Sequence, residues 1–261
     1  MRIITQLSLF DDTQNENLGD LERLQNVFEN IPDENLIRKL KEIRGKGRNE
    51  WPVEAMWNSF IASFIFDHDS VASLLRELNR NSQLRILCGF QPHMYSVLTK
   101  EKDEYGRRIR ESRYKLAPTA SAYTNFLNNL KECQKELREM FDILVGYMYE
   151  HLDDCGTVLA ADGKAIQSFA ARISQKDSGN RGERDADWCK KTYTATKADG
   201  EKITSIERIN GRIDRDYQFE KHTICGLDKM KMFLTVTFII QLTLAKAKIE
   251  KGKAGENMRG S

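Results

Sequence analysis

Two acidic residues, Asp162 and Glu207, lie where carboxylates can act as catalytic groups or metal ligands. Asp162 follows a short apolar run that ends at Ala161 and is typical of a β-strand, and Gly163 comes next. Glu207 lies in the first turn of a helix that the pattern starts near Thr204. Both positions also have structural explanations, because Asp-Gly forms turns and acidic side chains compensate the dipole at helix N-termini. Neither residue alone specifies a function.

The elements that must position these carboxylates are mostly helical. Apolar residues three and four apart predict short amphipathic helices before residue 99, with Pro52 in the first turn of one and Asp69 or Ser70 capping another. An extended pattern begins only at Thr157. We therefore expect an α+β protein that is mainly α. The predicted organisation is a flexible tail (1–17), a helical domain (18–99), a charged linker (100–118), one long helix (119–155), an α/β segment (156–251) and a disordered tail (252–261).

The composition is that of a globular protein. The 261 residues are 40% hydrophobic and 31% charged, with only 16 Gly and 4 Pro, which excludes collagen-like and low-complexity classes. The 41 Lys and Arg residues nearly balance the 39 Asp and Glu residues, giving a formal net charge of +2. Global charge therefore indicates no partner, and a nucleic-acid surface would have to be local.

Cysteine spacing and the apolar segments predict a cytoplasmic protein with reduced thiols. The five cysteines form no C-x-x-C pair, so neither a disulfide framework nor a structural zinc site is expected. The first residues lack the apolar core of a secretory signal. The most apolar stretch, Met232 to Ala245, contains Thr and Gln and is shorter than the roughly 20 residues that span a bilayer. We interpret it as a buried core helix or a strand–helix element, with no membrane partner.

Three arginines, Arg76, Arg80 and Arg85, lie on two consecutive short helices of the predicted N-terminal domain. A helix-turn-helix DNA reader carries basic residues in such positions. An ordinary helical bundle also has solvated arginines on its free face, and the pattern alone favours this second interpretation.

Several runs resemble bacterial insertion-sequence transposases. LGDLERLQNVFENIPDENLIRKL, KGRNEWPVEAMWNSFIASFIF and SVASLLRELNRNSQLRILCGF resemble their helical N-terminal domain. LAADGKAI followed by DADW resembles the start of their RNase H-like catalytic domain, and SIERINGRIDRDYQFEKHTICGLDKMK resembles its end. The resemblance implies Mg²⁺-dependent cutting and joining of DNA by an Asp-Asp-Glu set. Asp162 would be its first carboxylate and Glu207 its last, both as catalytic residues and metal ligands.

The middle carboxylate of that set is missing from the sequence. Only 44 residues lie between Asp162 and Glu207, where the family has a long tract with several strands. Gly200 and Ile203 occupy the positions where the family tends to have Tyr and Arg before the Glu. The simplest explanation is an internal deletion with its junction between 200 and 204. We therefore predict an incomplete RNase H-like remnant with impaired catalysis, which holds Mg²⁺ only if an active site is completed.

DNA binding can survive such a loss. The resemblance implies recognition of the element's terminal repeats, as a homodimer or together with full-length transposase subunits. An alternative is a non-catalytic protein that binds DNA and regulates or inhibits the full-length enzyme. The candidate DNA-binding residues are Arg76, Arg80, Arg85, Lys164, Lys190, Lys191, Arg208, Arg212 and Arg215.

A short motif near the N-terminus suggests a protein partner. Gln6-Leu7-Ser8-Leu9-Phe10 resembles the Q-L-x-L-F peptide that bacterial proteins insert into the DNA polymerase sliding clamp. Leu9 and Phe10 would fill an apolar pocket, and Gln6 would anchor the peptide. The alternative is an edge strand that packs Leu7 and Leu9 on the helical domain.

Overall fold

The computed structural model describes residues 20–46, 50–102, 104–105, 108–152, 224 and 226–259. This part of the chain is mainly helical with one small antiparallel sheet, which confirms the predicted class. Its helices are α1 (Asp20–Asn30), α2 (Glu34–Arg44), α3 (Val53–Ile65), α4 (Val71–Arg80), α5 (Ser82–Cys88), α6 (Ala120–Lys131), α7 (Gln134–His151) and α8 (Leu227–Arg259), and its strands are β1 (His93–Lys102) and β2 (Arg108–Lys115). The described residues fall into two compact units, one within 1–28 and 37–129 and the other within 29–36 and 130–261.

The first unit is built around α3, in which eleven of thirteen side chains are buried. An aromatic cluster joins this helix to α6: the Phe60 ring lies 6.3 Å from Phe126, and Tyr123 lies 5.8 Å from Phe126 between centroids. The Ser59 and Tyr123 hydroxyls are 3.4 Å apart, so the buried phenol keeps a polar neighbour. Burial raises the pKa of Tyr123, which therefore stays neutral in this core.

The helix starts in this unit follow standard capping chemistry. Ser70 rather than Asp69 caps α4, since its Oγ accepts a hydrogen bond from the Ser73 amide. Pro52 precedes α3 as its N-cap instead of lying within the first turn. Asn81 ends α4 and caps α5, because its Oδ1 accepts from the Leu84 amide at 3.0 Å. The break between α4 and α5 is thus a single residue.

The segment predicted as a charged linker is instead largely a β-hairpin. Strands β1 and β2 pair antiparallel, with His93 opposite Lys115 and Leu98 opposite Arg110. The register is irregular between Leu98 and Lys102. The linker prediction was wrong because no described side chain of either strand is buried, so the charged sequence lacks the apolar alternation of a half-buried sheet.

The single long helix predicted for 119–155 is two helices, α6 and α7. The Cys133 amide donates to Leu130 O at 3.0 Å, and the Leu137 amide donates to Cys133 O at the same distance. Leu130, Cys133 and Leu137 are all fully buried, so their apolar spacing continues through a helix break that it did not reveal.

The second unit contains a helical pair, α7 with α8. Buried side chains three and four apart mark one face of each helix: Leu137, Met140, Leu144 and Met148 on α7, and Met232, Val236, Ile239, Ile240, Thr243 and Ala247 on α8. Thr237 and Thr243 donate to the carbonyls of Phe233 and Ile239, which satisfies polar groups within an apolar helix.

Helix α8 decides one prediction about the C-terminal part of the chain and corrects another. Met232 to Ala245 is helical, which decides between the two predicted elements, but the helix is far longer than the apolar stretch. Residues 252–259, predicted to be disordered, continue it, and their Lys, Ala, Glu, Met and Arg residues have high helix propensity. By length and composition, Leu227–Gly252 could cross a membrane, with 39% of its most apolar window buried. Core helices of soluble proteins pass the same test.

Candidate nucleic-acid interface

Arg85 closes the end of α4. Its Nη1 donates to the carbonyls of Leu78 at 2.9 Å and Asn79 at 3.2 Å. These carbonyls lie in the last turn of α4, where the helix dipole favours a positive charge. Arg85 therefore has a structural explanation that needs no DNA.

Arg80 belongs to a local network around Glu77. Its Nε donates to Glu77 Oε2 at 2.5 Å, and Asn81 Nδ2 donates to Oε1 at 3.1 Å. Burial acts to raise the pKa of Glu77, but the hydrogen bonds from Asn81 and Arg80 outweigh it, so this pKa lies below its usual value. Glu77 is therefore a carboxylate at neutral pH that orients both Arg80 and the capping Asn81.

Arg76 is the third predicted arginine, and it lies on the exposed side of α4. It makes no hydrogen bond or ion pair with the described residues. Of the three arginines, Arg76 is thus the one whose guanidinium has no polar interaction with the described residues.

The geometry of α4 and α5 favours a bundle over a helix-turn-helix reader. A single residue, Asn81, separates the two helices, and α5 has seven residues. A recognition helix enters the major groove after a turn of three or four residues. In addition, the buried amide of Asn58 in α3 donates to Cys88 O at the end of α5, which fixes α5 against the core.

His68 lies in the turn between α3 and α4. Its Nδ1 is 3.2 Å from Ser73 Oγ, and its buried Nε2 has no hydrogen-bond partner among the described residues. Burial lowers the pKa of His68; Glu77 and Asp69 act to raise it, and Arg80 acts to lower it. The imidazole is therefore held neutral at physiological pH.

The β1–β2 hairpin presents a second basic region. Cross-strand pairs place Tyr95 with Arg113 on one face, which also carries Glu111 and Lys115; we call this the anchored face. Lys115 Nζ lies 3.6 Å from Glu50 Oε2 and 5.1 Å from the centre of the Tyr95 ring. Arg113 Nη2 donates to Glu111 Oε2 at 2.9 Å. The charges of the anchored face are thus paired within the protein.

The opposite face of the hairpin, called the open face, includes Met94, Ser96, Arg110, Ser112 and Tyr114. All five side chains are exposed, including 59% of Met94 and 62% of Tyr114. Arg108, two residues before Arg110 on the same strand, continues this face and is also exposed. The list of DNA-binding residues predicted from the sequence does not include them. A signal was available in the alternating positions Met94 and Ser96, and Ser112 and Tyr114, which are two residues apart as on one face of a strand.

The remaining predicted site residues lie outside the described part of the chain. They are the clamp-like peptide, both candidate catalytic carboxylates and six basic residues. The peptide residues are Gln6, Leu7, Leu9 and Phe10, the carboxylates are Asp162 and Glu207, and the basic residues are Lys164, Lys190, Lys191, Arg208, Arg212 and Arg215. Within residues 20–46, 50–102, 108–152 and 226–259, no group of three or more His, Cys, Asp and Glu side chains is arranged to hold a metal ion.

Residues 9–100 match the family model described as a transposase domain, DUF772. This region is similar to a transposase domain. The match bears out the resemblance for residues 9–100. The DDE, RNase H-like assignment and the internal deletion concern sequence beyond residue 100 and stay predictions. Neither curated proteins nor solved structures give a match to this chain.

The transposase domain contains helices α1 to α5 and most of β1, so Arg76, Arg80 and Arg85 all lie within it. Strand β2 follows the matched region. The hairpin therefore begins in the transposase domain and ends beyond it.

Proposed function

We propose that this chain is a DNA-binding protein of an insertion sequence that binds the element's terminal repeats in DNA transposition and recombination. The transposase-domain match over residues 9–100 carries this proposal. The exposed basic side chains of the hairpin and of Arg76 support it, because they supply the local positive charge that the net charge of +2 does not predict.

Its catalysis is impaired in this proposal. In-line cleavage with two metal ions needs carboxylates that hold both ions in a fixed geometry. Asp162 and Glu207 offer hard oxygen donors suited to Mg²⁺, but two carboxylates do not fit a site that the DDE family builds from three. The 44-residue interval between them contains no Asp that directly follows an apolar run of the kind that precedes Asp162.

The second candidate function is a non-catalytic regulator of full-length transposase. The missing middle carboxylate favours it, since such a chain can occupy DNA ends or join a full-length subunit without cutting. Lys164, Lys190, Lys191, Arg208, Arg212 and Arg215 surround the two remaining carboxylates in sequence and would contact phosphate in either case. A cytoplasmic location follows from both candidates, because the DNA substrate lies there.

The clamp-like peptide adds a partner to this proposal. Leu9 and Phe10 would enter the apolar pocket of the sliding clamp, and Gln6 with Leu7 would fix the peptide backbone. The full chain with Leu9→Ala and Phe10→Ala should lose clamp retention on a surface that carries the clamp. Retention by the double variant equal to that of the unmodified chain would rule out this partner.

A binding titration tests the main proposal. Purified full-length chain is titrated against duplex DNA from the terminal repeats flanking its gene, and against scrambled duplex of equal length, at about 50 and 200 mM salt. We expect preference for the repeat and, for about six phosphate contacts, a loss of roughly a thousandfold in affinity over this range. Equal binding to both duplexes, or none, would contradict terminal-repeat recognition.

Cleavage is scored in the same samples with and without Mg²⁺, with Asp162→Asn as the control variant. Specific binding without nicking supports the regulator. Nicking that depends on Mg²⁺ and disappears in Asp162→Asn would show that another side chain replaces the missing carboxylate, and would contradict the proposed impairment.

A further inference from the structure

The two faces of the hairpin differ in what their charges do. On the anchored face, Arg113 pairs with Glu111 and Lys115 pairs with Glu50. On the open face, Arg108 and Arg110 make no ion pair with the described residues, although both side chains are exposed. Among the described residues, Arg108 and Arg110 thus keep their guanidinium groups free of ion pairs, whereas the charges of the anchored face are paired.

The described side chains of the open face also include no opposing charge. Its described members are Met94, Ser96, Arg110, Ser112 and Tyr114, and none is acidic. Over residues 93–115 the sequence contains seven Lys and Arg against four Asp and Glu, a difference of three positive charges. Guanidinium and hydroxyl groups donate hydrogen bonds to phosphate oxygens and to the acceptor edges of bases. A polyanion is therefore the complementary ligand.

The dimensions of the hairpin suit one groove of duplex DNA. The regular register runs over six pairs, from His93 opposite Lys115 to Leu98 opposite Arg110, which corresponds to about 20 Å of ribbon. The major groove is about 12 Å wide and admits a two-stranded antiparallel ribbon. Side chains of the open face stand perpendicular to the ribbon and would point at the base edges, with Arg108 and Arg110 along one strand.

We infer that the open face of the β1–β2 hairpin lies in the major groove of duplex DNA, where Arg108 and Arg110 contact phosphates and base edges and Tyr114 and Met94 contact apolar base surface. This inference rests on the proposed function and identifies the element that contacts the DNA. It assigns the contact to the ribbon rather than to Arg80 and Arg85 of α4 and α5, which are engaged within the protein.

A matched pair of variants tests the face. Arg110→Ala and Arg113→Ala remove the same side chain from the same strand, both exposed, but from opposite faces. Anisotropy with the terminal-repeat duplex should show a loss of roughly tenfold in affinity for Arg110→Ala and less than about threefold for Arg113→Ala. The double variant Arg108→Ala/Arg110→Ala should also reduce the slope of log affinity against log salt by about 2.

A chemical footprint tests the groove. Dimethyl sulfate methylates guanine N7, which lies in the major groove. The unmodified chain should protect guanines within the repeat, and the protection should disappear in Arg110→Ala but persist in Arg113→Ala. Protection that is unchanged in Arg110→Ala would overturn the placement of this face.

The outcomes separate this inference from the proposed function. If the unmodified chain binds neither duplex, both fail. If it binds the repeat but Arg110→Ala and Arg113→Ala behave alike, the proposed function stands and the hairpin assignment fails. If the Arg108→Ala/Arg110→Ala variant changes the oligomeric mass by light scattering and leaves DNA affinity unchanged, the open face contacts a second copy and the inference is overturned. Equal circular dichroism spectra establish that the exposed substitutions leave the fold intact.

Discussion

Gly89 ends α5 in a backbone conformation that suits glycine. Its φ is +92°, and the neighbouring amides close the helix: Gly89 N donates to Ile86 O at 2.9 Å and Phe90 N donates to Arg85 O at 3.0 Å. A Cβ added at Gly89 would lie 3.9 Å from Ala55 Cβ, which is ordinary contact. The requirement for glycine is therefore conformational rather than steric.

Replacement of Gly89 by alanine should lower the free energy of unfolding by about 1–2 kcal/mol, because an L-residue is strained at this φ. Gly146→Ala is the matched control. Gly146 lies within α7, and a Cβ there meets nothing within 4 Å, so that change should raise stability by about 0.5–1 kcal/mol. Urea denaturation measures both. The two changes in the free energy of unfolding should have opposite signs. An unchanged free energy of unfolding in Gly89→Ala would contradict the left-handed conformation of Gly89.

His68 should make stability depend on pH. Burial lowers its pKa in the folded protein below the value of about 6.5 in the unfolded chain. The unfolded chain then binds more protons between these two pKa values, so this contribution is fully present above pH 6.5 and is lost as the pH falls through the folded pKa.

The measurement is the free energy of unfolding from pH 8 to pH 5, for the unmodified chain and for His68→Gln. The variant keeps a polar side chain near Ser73 but cannot titrate, so the difference between the two curves should shrink steadily as the pH falls. Parallel curves would show that protonation of His68 is not coupled to folding.

At the scale of elements, the apolar spacing predicts α1 to α5 well, because α3 is buried almost all round and the other helices each bury one face. It fails for the hairpin, since a ribbon exposed on both faces needs no apolar alternation. It also fails at Cys133, where Leu130 and Leu137 keep helical spacing although the backbone turns between them. The site shows the same limit: the sequence places Arg76, Arg80 and Arg85 together, but only side-chain geometry shows that Arg85 caps α4.

The α7–α8 pair should depend on the buried face of α7. Leu144 is buried and its neighbour Ile143 is 52% exposed. Leu144→Ala should lower the free energy of unfolding by about 2–5 kcal/mol through lost burial and a cavity, and Ile143→Ala should lower it by less than about 0.5 kcal/mol. Guanidinium denaturation compares the two variants. Similar losses would mean that Ile143 is buried by a further part of the chain or by a partner.

At the scale of the whole molecule, the proposed loss of the middle carboxylate predicts weak coupling between Mg²⁺ and folding. A ligand that binds only the folded state at a concentration c stabilises it by RT ln(1 + c/Kd), which is small when c is far below the Kd. With Asp162 and Glu207 alone, we expect 5 mM Mg²⁺ to change Tm by less than about 2 °C relative to EDTA, as seen in a thermal melt. A larger rise that Asp162→Asn abolishes would indicate a completed metal site.

The division of the chain into two units limits which segments can be exchanged between related proteins. Residues 29–36 belong to the second unit although they lie inside the transposase-domain match, and Lys246 Nζ donates to Asn30 O across more than two hundred residues of sequence. A recombination event that exchanges the coding region for residues 9–100 would therefore carry away part of the second unit. Helices α7 and α8 should thus keep residues 29–36 of their own parent protein. Chimaeras joined at residue 100 should express poorly unless residues 29–36 of one parent are compatible with α7 and α8 of the other.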